Sequence, residues 1–69
     1  MIKLNGMEKL SALIKYWIEH NREHAEEIRR FAEEFSDFKD ELLKASSKLL
    51  ETNEELEKIL RRVDEGNKA

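Results

Sequence analysis

The feature that most constrains this chain is the near absence of residues that break helices. Proline is absent, and the two glycines, Gly6 and Gly66, lie close to the ends of the 69 residues. The stretch between them is rich in Glu, Lys, Leu, Ala and Arg, which are strong helix formers. β-branched residues are scarce and never alternate with polar ones, as they would in a half-buried strand. The sequence therefore predicts an all-α protein.

A heptad repeat of apolar residues divides this stretch into two helical seams. The first seam contains Met7, Leu10, Ile14, Trp17, Asn21, His24, Ile28, Phe31 and Phe35. The second contains Leu42, Ala45, Leu49, Thr52, Leu56, Ile59 and Val63. Such a spacing of three and four residues is typical of coiled coils and helical bundles. We expect two long helices that pack along these seams.

Local signals set the expected ends of the helices. Asn5 is a candidate N-cap, and Asp37 can cap or favour the start of a second helix. Gly66 is a candidate C-cap. The resulting prediction is a single domain with a helix at about 6–35, a turn at about 36–37, a helix at about 38–65 and a frayed tail at 66–69.

Folding about the turn pairs the two seams antiparallel, with Leu10 level with Val63 and Phe31 level with Leu42. The apolar stripe of the first helix is wider than a two-helix contact can cover. We therefore expect the hairpin to dimerise into an antiparallel four-helix bundle. The alternative is a monomeric three-helix bundle in which the second helix breaks at residues 52–55. The residues that widen the first stripe are Leu13, Ile18, Ala25 and Ala32.

Both histidines of the chain lie in one polar interruption of the first seam. His20 and His24 are four residues apart and therefore share a helix face, and Glu27 extends that face by three residues. Two imidazoles and a carboxylate suit a divalent metal such as nickel or zinc, and a dimer would supply further ligands. The alternative is a hydrogen-bonded layer that fixes register without a metal. The residues expected in the outer shell or in that layer are Asn21, Thr52 and Asn53.

Composition argues against several other functions. Cysteine is absent, so disulfides and thiolate metal sites are excluded. The net charge is −3, and the basic residues are interleaved with glutamates, so a nucleic-acid surface is not expected. The absence of a long apolar run or a signal pattern predicts a cytoplasmic protein without a membrane span. No catalytic motif is evident: His20 is followed by Asn21, not by the glutamate of a zinc protease.

The pattern Trp17-x-x-His20-Asn21-x-x-His24-Ala25, with Phe31 and Ala32 further along, resembles a family of small helical-hairpin domains in archaea and bacteria. The likeness extends over most of the chain, including the acidic, leucine-rich second helix. It implies a helical hairpin with a recurring histidine–asparagine cluster, and it implies no defined activity.

Together these features predict a self-associating helical scaffold or binding module with no cofactor beyond the metal proposed at the histidine layer. Two alternatives remain. One is a purely structural or adaptor bundle in which the polar layer only sets register. The other is a helical subunit that completes its bundle with an unidentified protein partner.

Overall fold

The computed structural model describes residues 6–67, which form an antiparallel helical hairpin. Helix α1 spans Gly6–Glu34, a short 3₁₀ turn spans Ser36–Phe38, and helix α2 spans Lys39–Asn67. The described residues contain no strand. The predicted all-α hairpin is therefore confirmed. The candidate N-cap Asn5 lies outside the described residues.

The connection between the helices is only a few residues long. Phe35 leaves the helical conformation, with φ −113° and ψ 79°. Its N–H still donates to the carbonyl of Phe31 at 2.9 Å, and its own carbonyl accepts from the N–H of Phe38 at 3.0 Å. These bonds use backbone groups that a helix end leaves without partners, so the chain reverses direction without a glycine.

The predicted C-cap at Gly66 is wrong, because α2 continues through this residue to Asn67. No residue in the described part of the chain has the positive φ that a glycine C-cap adopts. A Cβ at Gly66 would meet the Cε of Met7 at 2.8 Å. The glycine therefore provides room for the methionine side chain and does not end the helix.

The alternative three-helix bundle is also wrong, since α2 is unbroken through residues 52–55. Thr52 lies in the helix interior, where its hydroxyl donates to the carbonyl of Lys48 at 3.0 Å. This four-residue bond is an alternative to capping for a threonine. The apolar phase is continuous across the segment, so tertiary packing holds it as helix.

The predicted register is confirmed by hydrogen bonds between the helices. The Ser11 hydroxyl donates to a carboxylate oxygen of Asp64 at 3.0 Å, one residue beyond the predicted pairing of Leu10 with Val63. Nearer the turn, the buried Ser46 hydroxyl donates to the Ala25 carbonyl at 2.9 Å. The pairing thus holds along the length of the hairpin.

Part of the predicted α1 seam lies in the contact between the helices, since Ile14 is buried and Asn21 and Ile28 are half-buried. Four other positions are displaced by one residue. Leu10, Trp17, His24 and Phe31 were expected in the seam, yet all four are exposed. The residues that follow them are buried in their place: Ser11, Ile18, Ala25 and Ala32. The two alanines allow the helix axes to approach closely in the half of the hairpin nearer the turn.

Helix α2 shows the same partial shift. The predicted seam residue Val63 is buried, and Leu42, Leu49 and Leu56 are half-buried. Ala45, Thr52 and Ile59 are exposed, whereas Ser46 and Asn53 are buried and Leu60 is half-buried. The apolar core is small and lies near the open end of the hairpin. It consists of Ile14, Ile18 and Val63, with Leu56 and Leu60 packed against them.

The hairpin is a thin slab with extents of 50 × 25 × 11 Å and a radius of gyration of 15.8 Å. A compact domain of this length would have a radius of about 11 Å. The accessible surface is 5898 Å², against about 4,500 Å² expected for a compact monomer of this mass. One hairpin therefore leaves much of its apolar surface in contact with water.

No helix within residues 6–67 is long and apolar enough to cross a membrane.

Candidate functional site

One broad side of the hairpin, here called the outer face, carries the predicted seam residues that are exposed, four of which are large and apolar. Its members are Leu10, Trp17, His24 and Phe31 on α1 and Ala45, Thr52 and Ile59 on α2. On both helices each member precedes an inner position by one residue, a rotation of about 100°. Because the helices are right-handed and antiparallel, the same rotation turns both sets to one side of the hairpin.

The exposure of this face is substantial. Leu10 is 37% exposed, Trp17 40%, Ile59 44% and Phe31 47%. A large, contiguous apolar surface on a soluble domain marks an interaction site more often than a free surface. The outer face is thus the first candidate for function.

Beneath this face, a polar layer joins the two helices at mid-height. The Asn21 side-chain amide donates to the side-chain oxygen of Asn53 at 3.0 Å. The Asn53 amide in turn donates to the main-chain carbonyl of Ile18 at 3.0 Å. Asn53 is 4% exposed, and no buried side-chain nitrogen or oxygen of the described residues lacks a partner.

This layer joins two of the three residues predicted to orient ligands or set register. Asn21 and Asn53 bond each other, whereas the hydroxyl of Thr52 is engaged within its own helix. The bonds of both asparagines run between the helices and not to the imidazoles. They therefore fix the height and rotation of α2 against α1.

The histidines lie beside the polar layer, with His24 on the outer face and His20 at its edge. His20 is half-buried and His24 is exposed. Their rings are stacked, with centroids 5.9 Å apart. Tyr16 contacts the other side of the His20 ring edge-on, with centroids 4.2 Å apart. Within residues 6–67 neither imidazole makes a hydrogen bond or an ion pair, so their ring nitrogens are available.

The predicted three-ligand group is not assembled within one chain. No cluster of three or more histidine, cysteine, aspartate or glutamate side chains in the described residues could hold a metal ion. Glu27 is exposed and lies two helical turns from His20, a rise of about 10 Å. A single hairpin therefore offers only the two neighbouring imidazoles.

The opposite side of the hairpin has a different character. A shallow, open hollow there is lined mainly by charged side chains of both signs. Its residues are Lys15, Ile18, Glu19, Arg22, Glu57, Leu60 and Arg61. Charges of both signs in open solvent are typical of a solvated surface, so this side carries no defined site.

The two predicted seams did not include two polar residues of the inner contact, Ser11 and Ser46. The sequence did contain a sign of them, because each lies one position after a predicted seam residue and so recurs at the same heptad spacing. A search for apolar periodicity passes over serine, although its hydroxyl can bond across a close helix pair.

A comparison with known protein families gives a match over most of the chain. Residues 10–63 match the model of a family described as Domain of unknown function (DUF8180). The chain belongs to this family. The match includes the inner contact, the polar layer and both histidines of the DUF8180 domain. No similar curated protein and no similar solved structure was found.

The family assignment agrees with the expected small domain of undefined function. The histidine–asparagine pattern as a signature of the family stays a prediction, as does its distribution in archaea and bacteria. The function of this DUF8180 domain is therefore inferred from its own surface.

Proposed function

We propose that this DUF8180 domain is a self-associating helical scaffold whose outer face binds the same face of a second copy. The observation that carries the proposal is the exposure of large apolar side chains on the outer face. The contact within the hairpin is filled by other residues, among them Ile14, Ile18 and Ala25, while Trp17 and Phe31 are left half-exposed. Helices of this kind bury a second stripe when two hairpins form a four-helix bundle.

The dimensions support this assembly. A slab of 50 × 25 Å offers a broad face on the order of 1,000 Å². A stable protein–protein interface buries about 800 Å² on each partner. The excess of accessible surface over a compact monomer is of the same size. One further hairpin is therefore sufficient to cover the exposed stripe.

Two leucine-sized residues of α2 provide a matched test. Ile59 lies on the outer face and is 44% exposed, whereas Leu50 lies on the other side of the helix and is 40% exposed. We expect Ile59→Glu to raise the dimer dissociation constant about 100-fold, because each copy loses about 1.5 kcal/mol of apolar burial. Leu50→Glu should leave the constant within a few-fold of the unmodified protein.

Sedimentation velocity over a dilution series measures both constants. Circular dichroism at high concentration checks that each variant remains helical. Equal weakening of the dimer by the two substitutions would contradict the proposal, because the interface would then not be confined to the outer face.

A metal function is the second candidate, and the stacked pair of His20 and His24 favours it. Two imidazoles at this spacing suit nickel or zinc, but they leave coordination positions to be filled from elsewhere. In this proposal the remaining ligands come from a second copy of the domain.

A further inference from the structure

The outer face has a symmetry of its own. On α1, Trp17 and His24 are equally distant from a point between His20 and Asn21, and so are Leu10 and Phe31. On α2, the outer residues are centred on Thr52, since Ala45 and Ile59 are each seven residues away. The hydrogen bond between Asn21 and Asn53 places these two centres at nearly the same height, within about two residues.

Two arrangements of a symmetric pair bury this face fully. In one, the turns of the two hairpins lie at the same end, and α1 of each copy faces α2 of the other. In the second, the hairpins have their ends reversed about a two-fold axis that crosses the helices at the common centre. Each helix then faces its own counterpart.

The charges along the edge of the outer face distinguish the two arrangements. The exposed edge of α2 alternates in sign at heptad spacing through Glu41, Lys48, Glu55 and Arg62. This series is complementary to itself when reversed, since Glu41 meets Arg62 of the second copy and Lys48 meets Glu55. With the ends aligned, Glu41 would instead face Glu34, a repulsive pair, and Lys48 would face Glu27, an attractive pair, so the two contributions would offset each other. The edge pattern therefore favours reversed ends.

Reversal brings the histidines of the two copies together. His20 lies within about two residues of the two-fold axis, so its counterpart lies close by across the axis. His24 is one turn further along, on the other side of the axis, and its ring stacks on that of His20 with centroids 5.9 Å apart. Four imidazoles, with no hydrogen-bond partners among residues 6–67, would then surround the axis.

We propose that two copies pack with reversed ends and that His20 and His24 of both form a four-imidazole site for a divalent transition-metal ion. This inference rests on the self-association proposed above. Zinc takes four nitrogen ligands at about 2.0–2.1 Å in tetrahedral geometry, and nickel also binds imidazole. Glu27 lies opposite Leu13 of the second copy in this arrangement and is not a ligand.

Disulfide trapping tests the orientation, and the chain has no native cysteine to interfere. The counterparts of Thr52 meet at the axis, so Thr52→Cys should form a covalent dimer on mild oxidation in the presence of a chelator. With reversed ends, the counterparts of Ile59 lie about 21 Å apart along the helices. Ile59→Cys should therefore give no crosslink, because a disulfide needs Cα atoms within about 7 Å.

Native mass spectrometry with zinc chloride tests the ligands in the unmodified protein. We expect one zinc ion per two chains, no retained zinc in His20→Ala or His24→Ala, and full retention in Glu27→Gln. A dimer that fails to crosslink at Thr52→Cys overturns the reversed arrangement. A crosslinked dimer that binds no zinc, or one that loses zinc in Glu27→Gln, overturns the four-imidazole site. A protein that does not dimerise at all overturns the scaffold function instead.

Discussion

Replacement of Asn53 by alanine tests the role of the polar layer in holding the two helices together. The Asn53 side chain is 4% exposed and makes two hydrogen bonds to α1, one with Asn21 and one with the Ile18 carbonyl. Each bond contributes about 1 kcal/mol net to stability. We therefore expect Asn53→Ala to lower the free energy of unfolding by about 2 kcal/mol. For a domain of this size the melting temperature should fall by about 8–16 °C.

Urea denaturation followed by circular dichroism measures this change, at one fixed protein concentration because unfolding is linked to self-association. Asn21→Ala should cost about 1 kcal/mol, since it removes only the first of the two bonds. The control is Ser47→Ala, an exposed position on the same helix, which should change stability by no more than about 0.5 kcal/mol. If Asn53→Ala were as stable as this control, the polar layer would not hold the helices in register.

Three further substitutions probe the inner contact, each by urea denaturation. Ser46→Ala should lower stability by about 1 kcal/mol, because it removes a buried hydrogen bond to a carbonyl of α1; no loss would show that the bond is not formed in solution. Ile14→Ala should cost about 2–4 kcal/mol, since Ile14 is 1% exposed. Leu13→Ala should lower the free energy of unfolding clearly less, because Leu13 is 40% exposed. Equal losses for the two substitutions would contradict the assigned core. Gly66→Ala should raise stability by about 0.5 kcal/mol if the flexible end of Met7 moves aside, and a loss above about 1 kcal/mol would show that it cannot.

The sequence was sufficient to predict the two helices, the turn and the antiparallel register. The first heptad seam ends at Phe35, which located the turn, and the continuous heptads set the pairing of Leu10 with Val63. These features depend on local propensity and on periodicity, which a single sequence contains. The same information was not sufficient for the C-terminal end of α2, because Gly66 is a helix breaker only where packing does not oppose it.

The rotation of the seam shows why the remainder could not be predicted. At every second turn of α1 an exposed residue precedes a buried one, and in two of these pairs a large apolar residue is followed by a small one: Leu10 by Ser11 and Phe31 by Ala32. Hydrophobicity favours the large residue as core, whereas close approach of two helices favours the small one. The choice depends on how many helices surround α1, and periodicity does not encode that number. The histidine pair was found from spacing alone, but its separation from Glu27 required the structure.

The molar mass of the unmodified protein at sedimentation equilibrium, without added metal, tests the central claim that the outer face binds a second copy. Proteins that leave a face of this size uncovered are not expected to remain monomeric at tens of micromolar. We expect twice the chain mass of 8.2 kDa at that concentration, with dissociation on dilution. A single species of 8.2 kDa that stays fully helical and unfolds cooperatively throughout the same range would contradict it.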